Sequence, residues 1–278
     1  MSITGVARLF VGKPVHPVGS DGRMALSDHL RELRARILKS GLVVIVAFVV
    51  ALFFYDTLQD LVADPYNEAR VELGEDRSML TTNGPAGGFL LYLKLCGMAA
   101  VVAASPFWLY QIWAFILPGL HDNEKKWTRV FAVIAGPLFI VGIVLGYLTL
   151  PMGLEILIGF TPADVTNLVE FNDYLVFFSR TLLGFGIAFE IPVFVVLLNM
   201  AGVLKGRTLG AYRPWIIIGT FVFAAVITPS GDPFTMSLMA VPMVILFGIS
   251  EVIARLNDKR RAGNKPNAGL SPDEPSQI

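Results

Sequence analysis

The sequence predicts an all-α integral membrane protein: six transmembrane helices, both termini cytoplasmic, and short fifth and sixth spans. Three observations predict it. The composition is too apolar for a soluble domain: 54% of the 278 residues are hydrophobic, 16% are charged and mean hydropathy is +0.64. A soluble globular chain carries roughly 25% charged residues. The apolar residues are gathered into blocks of membrane length, about 20 residues being needed to cross ~30 Å of hydrocarbon. Finally, Lys and Arg fall almost wholly on alternate connections, as the positive-inside rule requires.

The first block runs from about Leu38 to Leu58, the second from Ala86 to Leu117 and the third from Thr128 to Leu150. The fourth runs from Tyr174 to Val203, the fifth from Arg213 to Thr228 and the sixth from Phe234 to Ala254. Helix is the conformation that satisfies the backbone of a lipid-exposed segment internally. Runs such as Leu42–Phe54 do not alternate, which excludes the pattern of a transmembrane barrel. The first block is expected to be retained, because no small-residue cleavage site follows it. The fifth span is cleanly apolar only from Trp215 to Ile227, about 20 Å at helical rise, and the sixth only from Phe234 to Ile249. Both are shorter than a bilayer core, so the membrane thins beside them or other helices shield them.

An N-in, C-in topology follows from the charges. The inner side then holds Arg8, Lys13, Arg23, Arg31, Arg34, Arg36, Lys39, Lys125, Lys126, Arg129, Lys205, Arg207 and Arg213. The C-terminal tail adds Arg255, Lys259, Arg260, Arg261 and Lys265, while the outer loops keep only Arg70 and Arg77. The formal net charge of zero is therefore a sum over a molecule with a basic inner face and an acidic outer one. Residues 1–23 and 258–278 are expected to be disordered tails flanking a membrane domain over 24–257. Met24 opens a very different stretch and is a candidate translation start. The outer connections 59–85 and 151–173 are long for structureless linkers, and the first is expected to contain a short helix or cap.

Several function classes drop out. The charge balance excludes a strongly basic nucleic-acid binder. Cys96 is the single cysteine and the histidines are three, which speaks against disulfides and metal sites. There is no Gly-x-x-x-x-Gly-Lys-Ser/Thr loop, no His-Glu-x-x-His and no Gly-x-Ser-x-Gly. The expectation is a protein with no cofactor and no catalytic residues.

Polar residues at costly places remain. Leu30, Leu33 and Ile37 follow i, i+3, i+7, an amphipathic helix that runs straight into the first span, with Ser27 as candidate N-cap. Glu32 stands there among four positive residues, and its bland role is an i,i+4 pair with Arg36 worth ~0.3–0.5 kcal/mol. In the next inner connection Pro118-Gly119 ends a helix, and Glu124 occupies the first turn of another, where the helix dipole favours an anion. Glu190 lies deep in the fourth span, two residues before Pro192; burial of an ionisable group there is a functional hypothesis by default. Arg180 faces another side ~15 Å away, and Lys94 is the better candidate for a buried polar contact.

The segments Asp28-His-Leu-Arg-Glu-Leu-Arg-Ala-Arg36, Pro106 through Phe115, and Pro118-Gly-Leu…Glu124 together resemble the TatC family, the multispanning core of the twin-arginine protein translocase. Three further pieces match: Phe185-Gly-Ile-Ala-Phe-Glu190-Ile-Pro192, Thr228-Pro229 with Asp232-Pro-Phe234, and Ala240-Val-Pro-Met243. The resemblance covers about 24–257. It implies a protein of the inner cell membrane that binds the twin-arginine signal peptides of folded, exported proteins, and that Glu32 and Glu124 are the binding carboxylates. Arg34, Phe115, Leu120 and Lys125 would form the supporting cytoplasmic surface, with Glu190 and Lys94 as intramembrane polar residues. Thr228, Asp232 and Phe234 would form the edge that docks single-span TatA-like and TatB-like partners. A homo-oligomer within a larger complex and the proton-motive force as energy source are implied in the same way. The family usually shows arginine after the second glutamate and Ser-Gln after the 228–234 turn; this chain has Lys125-Lys126 and Thr235-Met236. The competing expectation is a secondary transporter that moves a small solute or proton past Glu190, Arg180 and Lys94.

Overall fold

The computed structural model describes residues 26–74, 77–116, 125–162, 164–200, 202–228 and 232–263. Helix α1 spans Leu26–Leu52 and α2 spans Tyr55–Leu73, followed by the short strand β1, Ser78–Thr81. Helices α3 (Gly87–Ala103), α4 (Ser105–Ile116) and α5 (Lys125–Gly159) come next, then strand β2 (Asn167–Glu170). The chain closes with α6 (Phe171–Met200), the short α7 (Gly206–Ala211), α8 (Arg213–Ile227) and α9 (Pro233–Gly263). The expected tail 1–23 lies outside the described residues.

Among the described residues four helices, α1, α5, α6 and α9, are long and apolar enough to cross a membrane. The pair α3–α4 passes the same test as a unit bent by 55°, and α8 is a shorter apolar helix. All six apolar blocks are therefore helical. The second, expected as one span, is broken at Ala104-Ser105. Pro106 has no N–H to give the preceding turn, and its ring crowds that turn. The indole N–H of Trp108 donates to the carbonyl of Val101 at 2.9 Å, satisfying a group that the break releases.

The N-terminal amphipathic segment is continuous with the first span, and Ser27 lies inside its first turn rather than at the cap. The fifth block is short as expected, 15 residues in α8. The sixth is not: α9 has 31 residues, because the helix outruns its apolar stretch and includes residues 258–263, assigned above to the tail. Polar contacts hold that extension. Asp258 accepts from Asn199 Nδ2 at 2.9 Å and from the backbone N–H of Gly206 at 2.7 Å, and Asn257 donates to Asn199 Oδ1 at 2.9 Å.

The two long connections, 59–85 and 151–173, are more ordered than expected. The helix expected in the first is present and longer than anticipated: 19-residue α2, whose buried Val62, Pro65, Tyr66 and Ala69 form a stripe at i, i+3, i+4, i+7. Helix α5 runs through Pro151 to Gly159, which shortens the second connection. β1 and β2 pair in parallel, Ser78 opposite Asn167 and Thr81 opposite Glu170, and so tie the two connections together. The Tyr66 and Ser78 hydroxyls bond beneath this pair, and Tyr174 Oη donates to the carbonyl of Val62 at 2.7 Å.

The core is centred on α6, whose apolar stretch is 72% buried; that of α1, at the periphery, is 11% buried. Helix α6 packs between α5 and α9. Its contact with α5 depends on glycine: a Cβ on Gly142 would stand 2.7 Å from the Phe185 carbonyl oxygen, and one on Gly186 would stand 2.6 Å from the Phe139 ring. Small residues at such crossings let helix backbones approach where lipid gives no hydrophobic incentive to associate.

Candidate functional site

The start of α1 and the end of α4 meet at one end of the bundle. The rings of His29 and Phe115 stack there with centroids 4.4 Å apart and planes 16° from parallel. One turn along α1, Glu32 accepts hydrogen bonds from its neighbour Arg36, with Nε at 2.9 Å and Nη2 also on Oε1. The third nitrogen of Arg36, Nη1, donates across to Gln111 Oε1 on α4 at 3.1 Å. The i,i+4 pair anticipated from spacing is thus present, but as one part of a bridge between two helices.

Below this bridge α1 and α4 part, leaving an apolar groove of about 690 Å³ lined by Leu33, Ile37, Val44, Val101, Trp108 and Ile112. A sheltered carboxylate bonded to a residue that lines an apolar groove can hold a cation bearing several donors while apolar surface nearby leaves water. Arg34 is exposed and Phe115 is half-buried. Leu120, Glu124 and the side chain of Lys125 lie outside the described residues, so the second carboxylate is not placed.

Glu190 is buried in α6. Its Oε2 accepts the indole N–H of Trp113 at 3.1 Å, and its Oε1 has no hydrogen-bond partner. Lys94, expected as a buried polar contact, is instead exposed and donates to Asn172 Oδ1 near the opposite end of the bundle. Arg180 is exposed as well. The partner found for Glu190 is therefore an indole donor rather than either cation.

At the α8–α9 turn, Asp232 accepts the backbone N–H groups of Phe234 at 3.0 Å and Thr235 at 2.8 Å, which makes it the N-cap of α9. Thr228 is buried and donates to the Ala224 carbonyl at 2.7 Å, whereas Phe234 is exposed. Phe234, Leu238 and Val241 line a second groove of about 450 Å³ with Met152 and Ile156 of α5.

Two features escaped the sequence reading. Gln111 is a polar residue in an otherwise apolar stretch, the kind of costly placement that singled out Glu190, but nothing in its spacing points to Arg36. Glu251, buried in α9, accepts from Arg213 Nε at 2.6 Å and Nη2 at 2.8 Å, and from Arg255 at 2.6 Å, which pins the start of α8 to α9. Its position one turn before Arg255 was a legible cue.

Residues 28–242 match the family model described as Sec-independent protein translocase protein (TatC). The chain belongs to the TatC family. The TatC of Frankia casuarinae is 40% identical over 268 residues, covering 93% of this chain and 74% of that protein. The TatC of Deinococcus radiodurans is 36% identical over 232 residues, covering 83% of this chain and 86% of that one. A crystal structure described as the twin arginine translocase receptor TatC superimposes with a TM-score of 0.69 at 31% identity, over 83% of this chain and 99% of that one. This TatC is accordingly a multi-pass membrane component of a protein translocase. The matched span includes Glu32, Glu124, Glu190, Thr228 and Asp232 and stops short of Glu251 and Asp258.

Proposed function

We propose that this TatC is the signal-peptide receptor of a twin-arginine translocase in the cytoplasmic membrane. Glu32 and Glu124 take the paired arginines, and the groove between α1 and α4 takes the apolar segment that follows them. The observation that carries this reading is Glu32 itself. It is a carboxylate only 14% exposed, already accepting the guanidinium of Arg36, which lines a groove of about 690 Å³. A guanidinium presents parallel donors that match a carboxylate, whereas an ammonium is a point charge, so arginine is favoured over lysine.

The topology proposed is six spans with both termini cytoplasmic. Support comes from the contacts above: α1 begins, α4 and α6 end, α8 begins and α9 ends at one end of the bundle, while α2 and the strands cap the other. The α8–α9 turn and exposed Phe234 form the edge on which TatA-like and TatB-like single-span subunits dock, several copies of the complex assemble together, and the proton-motive force drives transport. Neither Glu32→Ala nor Glu124→Ala is expected to support export of a twin-arginine reporter, while both variants still insert in the membrane. Normal export in both variants removes the binding-site assignment.

A further inference from the structure

Glu32 already holds an arginine, and that arginine, Arg36, lines the groove. Both fork bonds of Arg36 fall on Oε1 of Glu32, and neither falls on Oε2. The remaining Arg36 nitrogen, Nη1, donates to Gln111, which is 8% exposed, and Arg36 and Gln111 both line the groove. A solvated i,i+4 pair on one helix face needs no such third contact. Here the guanidinium joins α1 to α4 along the wall of the groove.

We propose that Arg36 is a resident competitor for Glu32: an incoming arginine must displace it, and this exchange sets the discrimination against lysine. The proposal rests on the reading of Glu32 as the carboxylate that receives a signal arginine. Exchange of one guanidinium for another breaks a charge-assisted fork and forms a charge-assisted fork, so it is nearly balanced. Lysine breaks the same fork and returns a strongly hydrated point contact, so the resident arginine holds the site against it. Displacement also releases Nη1 from Gln111 and unties α1 from α4 beside the groove. Recognition of the arginines and admission of the apolar segment thereby become one event.

The test uses the full chain purified into lipid nanodiscs and two synthetic signal peptides, identical except for Arg-Arg or Lys-Lys ahead of the apolar segment. Arg36→Met is expected to bind the Arg-Arg peptide about threefold more tightly than wild type and the Lys-Lys peptide more than about tenfold more tightly, which narrows the ratio. Gln111→Leu keeps the competitor but releases its anchor, and should shift both affinities the same way by less. Unchanged or weaker binding in both variants, with binding still lost in Glu32→Gln, overturns the competitor and leaves the Glu32 assignment standing. Tighter binding with an unchanged ratio overturns the role in discrimination. Wild-type affinity in Glu32→Gln removes the Glu32 assignment and the competitor with it.

Discussion

Asp232 carries a structural duty inside a segment expected to dock partners. Its carboxylate satisfies two of the N–H groups that this helix start leaves free, at Phe234 and Thr235, Pro233 having none to offer. Asp232→Ala is expected to lower stability by about 0.5–2 kcal/mol, while Asp232→Asn, which keeps an acceptor, stays near wild type. Denaturant unfolding in detergent measures the difference, and an unaltered Asp232→Ala contradicts the capping role. Phe234 has no such duty: it is 55% exposed, which leaves its ring available at the groove beside α5. At this scale the sequence was legible wherever a contact is local. The Glu32–Arg36 pair follows from a four-residue spacing. The bond from Arg36 to Gln111 joins residues 75 apart in the chain, and the bond from Trp113 to Glu190 joins residues 77 apart. Only the packing of α4 against α1, and the reach of Trp113 from α4 to α6, bring those groups together, so no spacing rule could supply them.

Among the elements, apolar block length was a good guide to where helices lie and a poor one to where they end. Helix α9 outruns its apolar stretch because Asn199, Gly206 and Asp258 bond its polar end, and α3–α4 breaks because Pro106 stands within one apolar block. The strands, four residues each, are too short to leave a periodic trace and form only because two connections lie side by side. The α5–α6 crossing depends on a missing side chain. Gly142→Val would place a Cβ 2.7 Å from the carbonyl oxygen of Phe185, a backbone atom that no rotamer change moves aside. Overpacking of this kind costs about 1–3 kcal/mol. Gly41, on α1, has open space around its missing Cβ and serves as the control. Thermal unfolding should show Gly142→Val clearly destabilised and Gly41→Ala close to wild type; equal midpoints contradict the close-crossing account.

Over the whole molecule, the formal charge of zero divides by side. On the proposed topology the inner side carries eighteen basic residues and nine acidic ones, while the outer side carries two basic and twelve acidic. On the proposed binding role, Glu32 and Glu124 would be anions set in a basic face, which would repel stray cations and favour ligands that form paired charge-assisted hydrogen bonds. The six blocks and the polarised charge were legible because both are one-dimensional patterns. The groove was not, because it is a gap between α1 and α4 that exists only after they pack. The most direct measurement of the central claim is binding of an Arg-Arg signal peptide to membrane vesicles of defined orientation, with a Lys-Lys peptide as control. Inverted vesicles, which expose the cytoplasmic face, should bind the Arg-Arg peptide strongly and the Lys-Lys peptide weakly; the Glu32→Gln, Glu124→Gln double variant should lose at least about tenfold in affinity. Equal binding of the two peptides, or full binding by the double variant, would contradict the account.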